Sequence, residues 1–114
     1  MTVELAAEDQ KLVTLARATR ARARATQGAA VRDQDGRTYA AAAVALPSLQ
    51  VSAVAGCLAM AVSSGARSLE AVVLLADTDV ADEADLAALR DFTGADVPVH
   101  LGDARGVVDV TVTT

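Results

Sequence analysis

The sequence predicts an α/β fold: a three-layer α/β/α sandwich on one mixed five-stranded sheet, in a single domain over residues 1–114. Three observations carry this expectation. Asp35-Gly36 stands between two short β-compatible runs, which is a hairpin signal. Leu69 to Ala76 is an unbroken apolar run of strand length, as expected of a central strand covered on both faces. Around these, helix-periodic and strand-like segments alternate to give the order α-β-β-α-β-α-β-β.

Taken in order, Glu8 to Thr26 reads as a helix, with Leu12, Leu15, Ala16, Thr19 and Ala23 recurring at three- and four-residue steps as one buried stripe. Glu8 and Asp9 at its start and Arg22 and Arg24 at its end suit the helix dipole, and Gly28 punctuates it. Ala29 to Arg32 and Arg37 to Ala41 are the two hairpin strands, the second legible mainly from the turn before it because alanine is a poor strand former. Pro47-Ser48 opens a new segment, with Ser48 as a candidate N-cap. Val51 to Ser64 is almost wholly apolar or small and reads as a buried helix ended by Gly65. After the strand at Leu69–Ala76 comes the acidic loop Asp77-Thr78-Asp79. Asp82 to Phe92 is a further helix with Leu86, Leu89 and Phe92 on one side and Gly94 beyond it. Val97 to Leu101 and Val107 to Val112 close the chain as strands.

Composition limits the chemistry. Hydrophobic residues make up 53% and charged residues 22%, so the chain is globular. One cysteine, Cys57, excludes an internal disulfide and any multi-thiolate metal site. One histidine, His100, excludes a multi-histidine site. With no Trp, one Tyr and one Phe, rings for stacking on a base or a cofactor are nearly absent. The net charge of −5 argues against nucleic-acid binding by the whole molecule. No apolar run reaches the length of a membrane span and no signal peptide opens the sequence, so a cytoplasmic location is the expectation. The preference for Arg over Lys, with abundant Ala, Val and Gly, resembles the codon bias of a high-GC bacterium.

The segment Gly28-Ala-Ala-Val31, followed by Asp35-Gly36-Arg37-Thr38-Tyr39, resembles the cytidine deaminase family. The similarity continues through the helix ending at Gly65, the strand Leu69–Ala76 and the Asp91-Phe92 pair, and spans Lys11 to Val112. It implies the cytidine deaminase-like fold and a homo-oligomer, dimer or tetramer. It also implies a zinc ion held by a His or Cys from one motif and two Cys from a second, with a Glu two residues after the first ligand as proton shuttle. Three protein ligands leave a fourth position for a water whose pKa the metal lowers.

On this chain the family's positions carry other residues. Aligned without gaps from Gly28, the first ligand falls on Val54 and the shuttle on Gly56, although the helix is shorter than is usual in the family. No Asp, Glu or His occurs between Gly36 and Glu70, so no general acid/base carboxylate sits on that helix in any register. Aligned back from Asp91-Phe92, the two Cys fall on Asp82 and Asp85, and the preceding Pro on Ala81. The family's ribose-gripping Asn and Glu fall on Ala43 and Ala45, and Thr26-Gln27 replace the aromatic before Gly28. A frame kept while ligands, shuttle, sugar clamp and base platform are replaced reads as a pseudoenzyme.

Blander roles compete for each residue. Asp82 and Asp85 share a helix face and could hold a hard cation, yet acids in a first helical turn mainly satisfy free N–H groups and the dipole. Cys57 reads as core and His100 as a structural histidine. Ser52, Ser63 and Ser64 have no neighbouring His or Lys base in the sequence. Arg17, Arg20 and Arg24 recur on one helix face as a possible contact for an anion or a partner, with the acidic stretch 77–91 as its counterpart in a symmetric oligomer. Three functional readings follow. The first is a catalytically inactive oligomeric protein with a structural, regulatory or interaction role and no cofactor. The second is an active cytidine deaminase with a non-standard zinc site drawn from Cys57, Asp82, Asp85 and His100. The third is a module binding an anionic partner such as RNA through the arginine-rich helix, marked by affinity that falls steeply with salt.

Overall fold

In the computed structural model, residues 3–78 and 80–114 are described; Asp79 of the acidic loop lies outside them. The elements are α1 (Ala7–Ala23), β1 (Gly28–Asp33), β2 (Thr38–Ala42), β3 (Val44–Leu46), β4 (Leu49–Val51), α2 (Ala53–Ser63), β5 (Leu69–Leu75), α3 (Glu83–Thr93), β6 (Pro98–Gly102) and β7 (Val108–Thr113). Five strands form one mixed sheet in the order β2-β1-β5-β6-β7. Only β5 and β6 run parallel, joined through α3; the other neighbours are antiparallel.

β5 is the middle strand, and six of its seven residues are buried. Its alternate side chains feed two cores, which is why its sequence is apolar without a break. Val72 and Leu74 join Ala29, Val31, Val99 and Leu101 in the core under α2 and α3. Ala71, Val73 and Leu75 join Leu12, Val13 and Ala16 in the core under α1. The three layers are therefore α1, the sheet, and α2 with α3.

The β1–β2 turn is built around a buried carboxylate. Asp33 Oδ1 accepts from the N–H groups of Asp35 (2.9 Å) and Arg37 (3.0 Å), and Oδ2 accepts from the Tyr39 hydroxyl (2.9 Å). Burial works to raise its pKa, but these hydrogen bonds outweigh it and hold the carboxyl below its ordinary value. Gly36 supplies the positive φ of +83° that the turn needs.

Four expectations are corrected. The buried stripe of α1 runs through Leu12, Val13 and Ala16, whereas Leu15 is 37% exposed and Ala23 is exposed. β1 begins under Ala16 and Arg20: a Cβ on Gly28 would lie 2.4 Å from the Ala16 carbonyl oxygen and 2.5 Å from Arg20 Cβ. Contact with the sheet thus follows the 12–16–20 line. Secondly, Ser48 is not an N-cap. Pro47-Ser48 is the turn of a small hairpin, β3–β4, that stands apart from the main sheet, and the cap of α2 is Ser52. Thirdly, α2 is not buried all round: Ala53, Val54, Cys57 and Ala61 face the core, while Met60 and Val62 are exposed. Finally, Arg24 does not extend the face of Arg17 and Arg20, because it ends α1 in a left-handed conformation.

Candidate functional site

The starts of α2 and α3 meet through side chains. Ser52 precedes α2 in an extended conformation, and its Oγ accepts from the N–H of Ala55 (3.0 Å). The same hydroxyl donates to Asp85 Oδ1 at 2.7 Å. Gln27 Oε1, ahead of β1, accepts from the N–H of Ala53 (3.3 Å), so two of the free donors at the start of α2 are met by the chain's own side chains. On α3, Asp82 is the N-cap and accepts from the N–H of Ala84 (2.9 Å).

Asp85 is the unusual member. It is 9% exposed, and its Oδ2 has no hydrogen-bond partner. Burial raises its pKa, and the charge of Asp82 adds to this, while the Ser52 hydroxyl works in the other direction. A carboxyl placed this way favours the neutral form more than an exposed one does.

The other predicted positions do not complete a catalytic site around this pair. Val54 is buried in the core, and Gly56 packs against β2, where a Cβ would come 2.9 Å from Ala41 Cβ. Ala43 links β2 to β3 and donates its N–H to the Gln27 carbonyl (3.0 Å). Ala45 is exposed on β3, opposite Gln50. Cys57 is fully buried, with Sγ 3.6 Å from the Tyr39 carbonyl oxygen, and burial pushes its thiol up to about 12. His100 lies on the α1 side of the sheet, between Asp9 Oδ2 (2.9 Å) and Thr111 Oγ1 (2.8 Å). Cys57, Asp82, Asp85 and His100 are thus not brought together as a ligand set.

A zinc ion does not fit the residues at the two helix starts. The donors there are a serine hydroxyl engaged in two hydrogen bonds, a carboxylate capping its own helix and a second carboxylate that burial disfavours as an anion. No thiolate or imidazole stands among them. Among the described residues, no group of three or more His, Cys, Asp or Glu side chains is placed to hold a metal ion.

Of the arginines, Arg20 is engaged within the chain: it donates to the Thr26 carbonyl (3.3 Å) and pairs with Asp77 (3.4 Å). Arg17 and Arg24 are exposed. A separate cavity of about 290 Å³ opens where β5 and β6 end, lined by Ala76, Asp77, Thr78, Gly102, Asp103 and Asp109. None of the predicted site residues borders it.

The sequence marks Ser52 only as a serine without a base and Gln27 only as a replacement for an aromatic, and their places at the start of α2 come from the structure. Ser52 stands immediately before the apolar run of α2, the usual N-cap position, while Pro47-Ser48 just upstream offers a competing helix start. No sequence signal marks Gln27 as the partner of a helix start 26 residues away.

Solved structures of cytidine deaminases share this architecture. The enzyme from Burkholderia pseudomallei superposes with a TM-score of 0.76 at 22% identity, over 91% of this chain and 89% of that one. The enzyme from Mycobacterium leprae gives 0.73 at 20% identity, over 96% and 94%. That from Mycobacterium tuberculosis gives 0.71 at 19%, over 82% and 85%. No curated protein matches the sequence. At these identities the structures speak for the fold alone. The cytidine deaminase-like family model itself matches residues 5–106. With that match over most of its length, the chain belongs to the cytidine deaminase-like family.

Proposed function

We propose that the protein is a catalytically inactive member of this family with an oligomeric structural or regulatory role. The observation that carries this reading is the Ser52–Asp85 hydrogen bond between the starts of α2 and α3. It ties the two helices together with donors unsuited to zinc. The charge-free run from Thr38 to Ala66 supplies no carboxylate on α2 to move a proton to a ring nitrogen. The buried face of α2 consists of Ala53, Val54, Cys57 and Ala61, which pack as core.

The test has two parts. Purified protein is expected to carry zinc far below one equivalent by metal analysis, and to release no ammonia from cytidine or deoxycytidine above a protein-free blank. Stoichiometric zinc or catalysed ammonia release would overturn the inactive reading.

A further inference from the structure

The α1 side of the sheet carries a hydroxyl, an imidazole and a carboxylate in series. Thr111 and His100 stand opposite one another in the β6–β7 register, so their side chains share a face. Thr111 Oγ1 lies 2.8 Å from His100 Nδ1, and His100 Nε2 lies 2.9 Å from Asp9 Oδ2. The other Asp9 oxygen pairs with Arg32 Nη1 at 2.9 Å. Burial is graded along the series. His100 is 6% exposed, the Asp9 and Arg32 side chains are largely covered, and Thr111 is exposed.

These contacts fix where the protons stand. The Asp9 carboxylate can only accept, so Nε2 carries the proton of the neutral ring and Nδ1 turns its lone pair to Thr111. The Thr111 hydroxyl therefore donates to His100. An accessible hydroxyl, a base within hydrogen-bond reach and a carboxylate that orients the base form the arrangement that activates a nucleophile. The main chain adds a donor. Thr114 donates its N–H to the Val97 carbonyl (2.9 Å), and antiparallel bonding alternates, so the N–H of Thr111 points away from β6. β7 is the last strand of the sheet, and that N–H faces its edge. There it can receive the negative oxygen that develops when the hydroxyl adds to a carbonyl.

We propose that Thr111 is a nucleophilic site that takes an acyl group from an activated carboxylic ester, with His100 as general base and Asp9 positioning the ring. The bond from Oγ1 to the carbonyl carbon forms as the Oγ1 proton passes to Nδ1. The ester C–O bond then breaks, and the proton leaves Nδ1 with the departing oxygen. The products are an ester of Thr111 and an alcohol or phenol, and His100 returns to its neutral form. The site lies across the sheet from α2 and α3, so it is independent of the Ser52–Asp85 reading and of any loss of deaminase chemistry.

Thr113 supplies an internal comparison. It is exposed, lies on the same face two residues on, and stands opposite Pro98, which offers no base. The experiment treats the full chain with p-nitrophenyl acetate and maps acetyl groups over time by peptide mass spectrometry, which separates them from label on Lys11. Thr111 is expected to acquire acetyl at least about tenfold faster than Thr113, with the ratio falling to about one in denaturant. Equal rates in the folded chain, or no label on Thr111, overturn the proposal. His100→Gln and Asp9→Asn, checked for folding by circular dichroism, are expected to lower the ratio severalfold or more, and Thr111→Ser to keep the label. A ratio unchanged in either folded variant overturns the proposal as well. If neither variant folds, the two threonines of the unmodified chain decide alone.

Discussion

Asp85 is where burial and charge conflict most plainly. Its carboxyl pKa is raised in the folded chain, so its contribution is most favourable below the unfolded value and is lost as pH rises through the folded one. Ionising Asp85 is therefore less favourable in the folded chain than in the unfolded one, which costs stability at neutral pH. Asp85→Asn keeps an acceptor for Ser52 and removes that charge. It should raise the melting temperature by a few degrees at pH 7, and the gain should fade as pH drops below the ordinary carboxylate range of about 4, where Asp85 is protonated in the folded and unfolded chain alike. Thermal scans of both proteins across that range check the sign. Cys57 gives a second outcome at this scale. With its thiol pushed up to about 12 and fully buried, it should not react with a disulfide reagent at pH 8 until the protein is unfolded, as a titration with and without denaturant will show. Both residues were visible in the sequence, Asp85 as a first-turn acid and Cys57 as core. The Ser52–Asp85 bond was not, because it joins positions 33 residues apart and depends on how two helices are set against the sheet.

Among the elements, those with a strong local pattern were legible and the short ones were not. Leu69–Leu75 could be read because a central strand is apolar on both faces, and Asp35-Gly36 because its turn demands particular residues. The β3–β4 hairpin is not legible because three-residue strands give too short a period to detect, and Pro47 followed by Ser48 also fits the opening of a helical segment. The join between α1 and β1 depends on Gly28. Any Cβ there meets the Ala16 carbonyl oxygen and Arg20 Cβ well inside contact distance, so α1 has to move away from the sheet. Gly28→Ala should cost about 2–3 kcal/mol, read as a lower urea midpoint at unchanged slope.

For the whole molecule, Asp9 fastens three elements on the α1 side. One oxygen of its carboxylate lies 2.9 Å from Arg32 Nη1 on β1, and the other 2.9 Å from His100 Nε2 on β6. Arg32 also pairs with Glu70 at 3.0 Å. Asp9→Ala should therefore cost at least about 2 kcal/mol in equilibrium unfolding. It should fall short of the roughly 3–5 kcal/mol of a wholly orphaned buried charge, because Glu70 still holds Arg32. In the sequence Asp9 looked like a dipole acid at a helix start, and only the packing of α1 over β1 and β6 turned it into a tie. The sequence by itself determined the layer order, the central strand and the residue types available for chemistry, because local periodicity and composition suffice for those. Tertiary structure alone decided which polar groups meet: Ser52 with Asp85, Gln27 with Ala53, and Asp9 with Arg32 and His100. The physical reason is range. A hydrogen bond or ion pair requires its atoms within about 3 Å, and at long sequence separations that distance is set by the packing of whole elements.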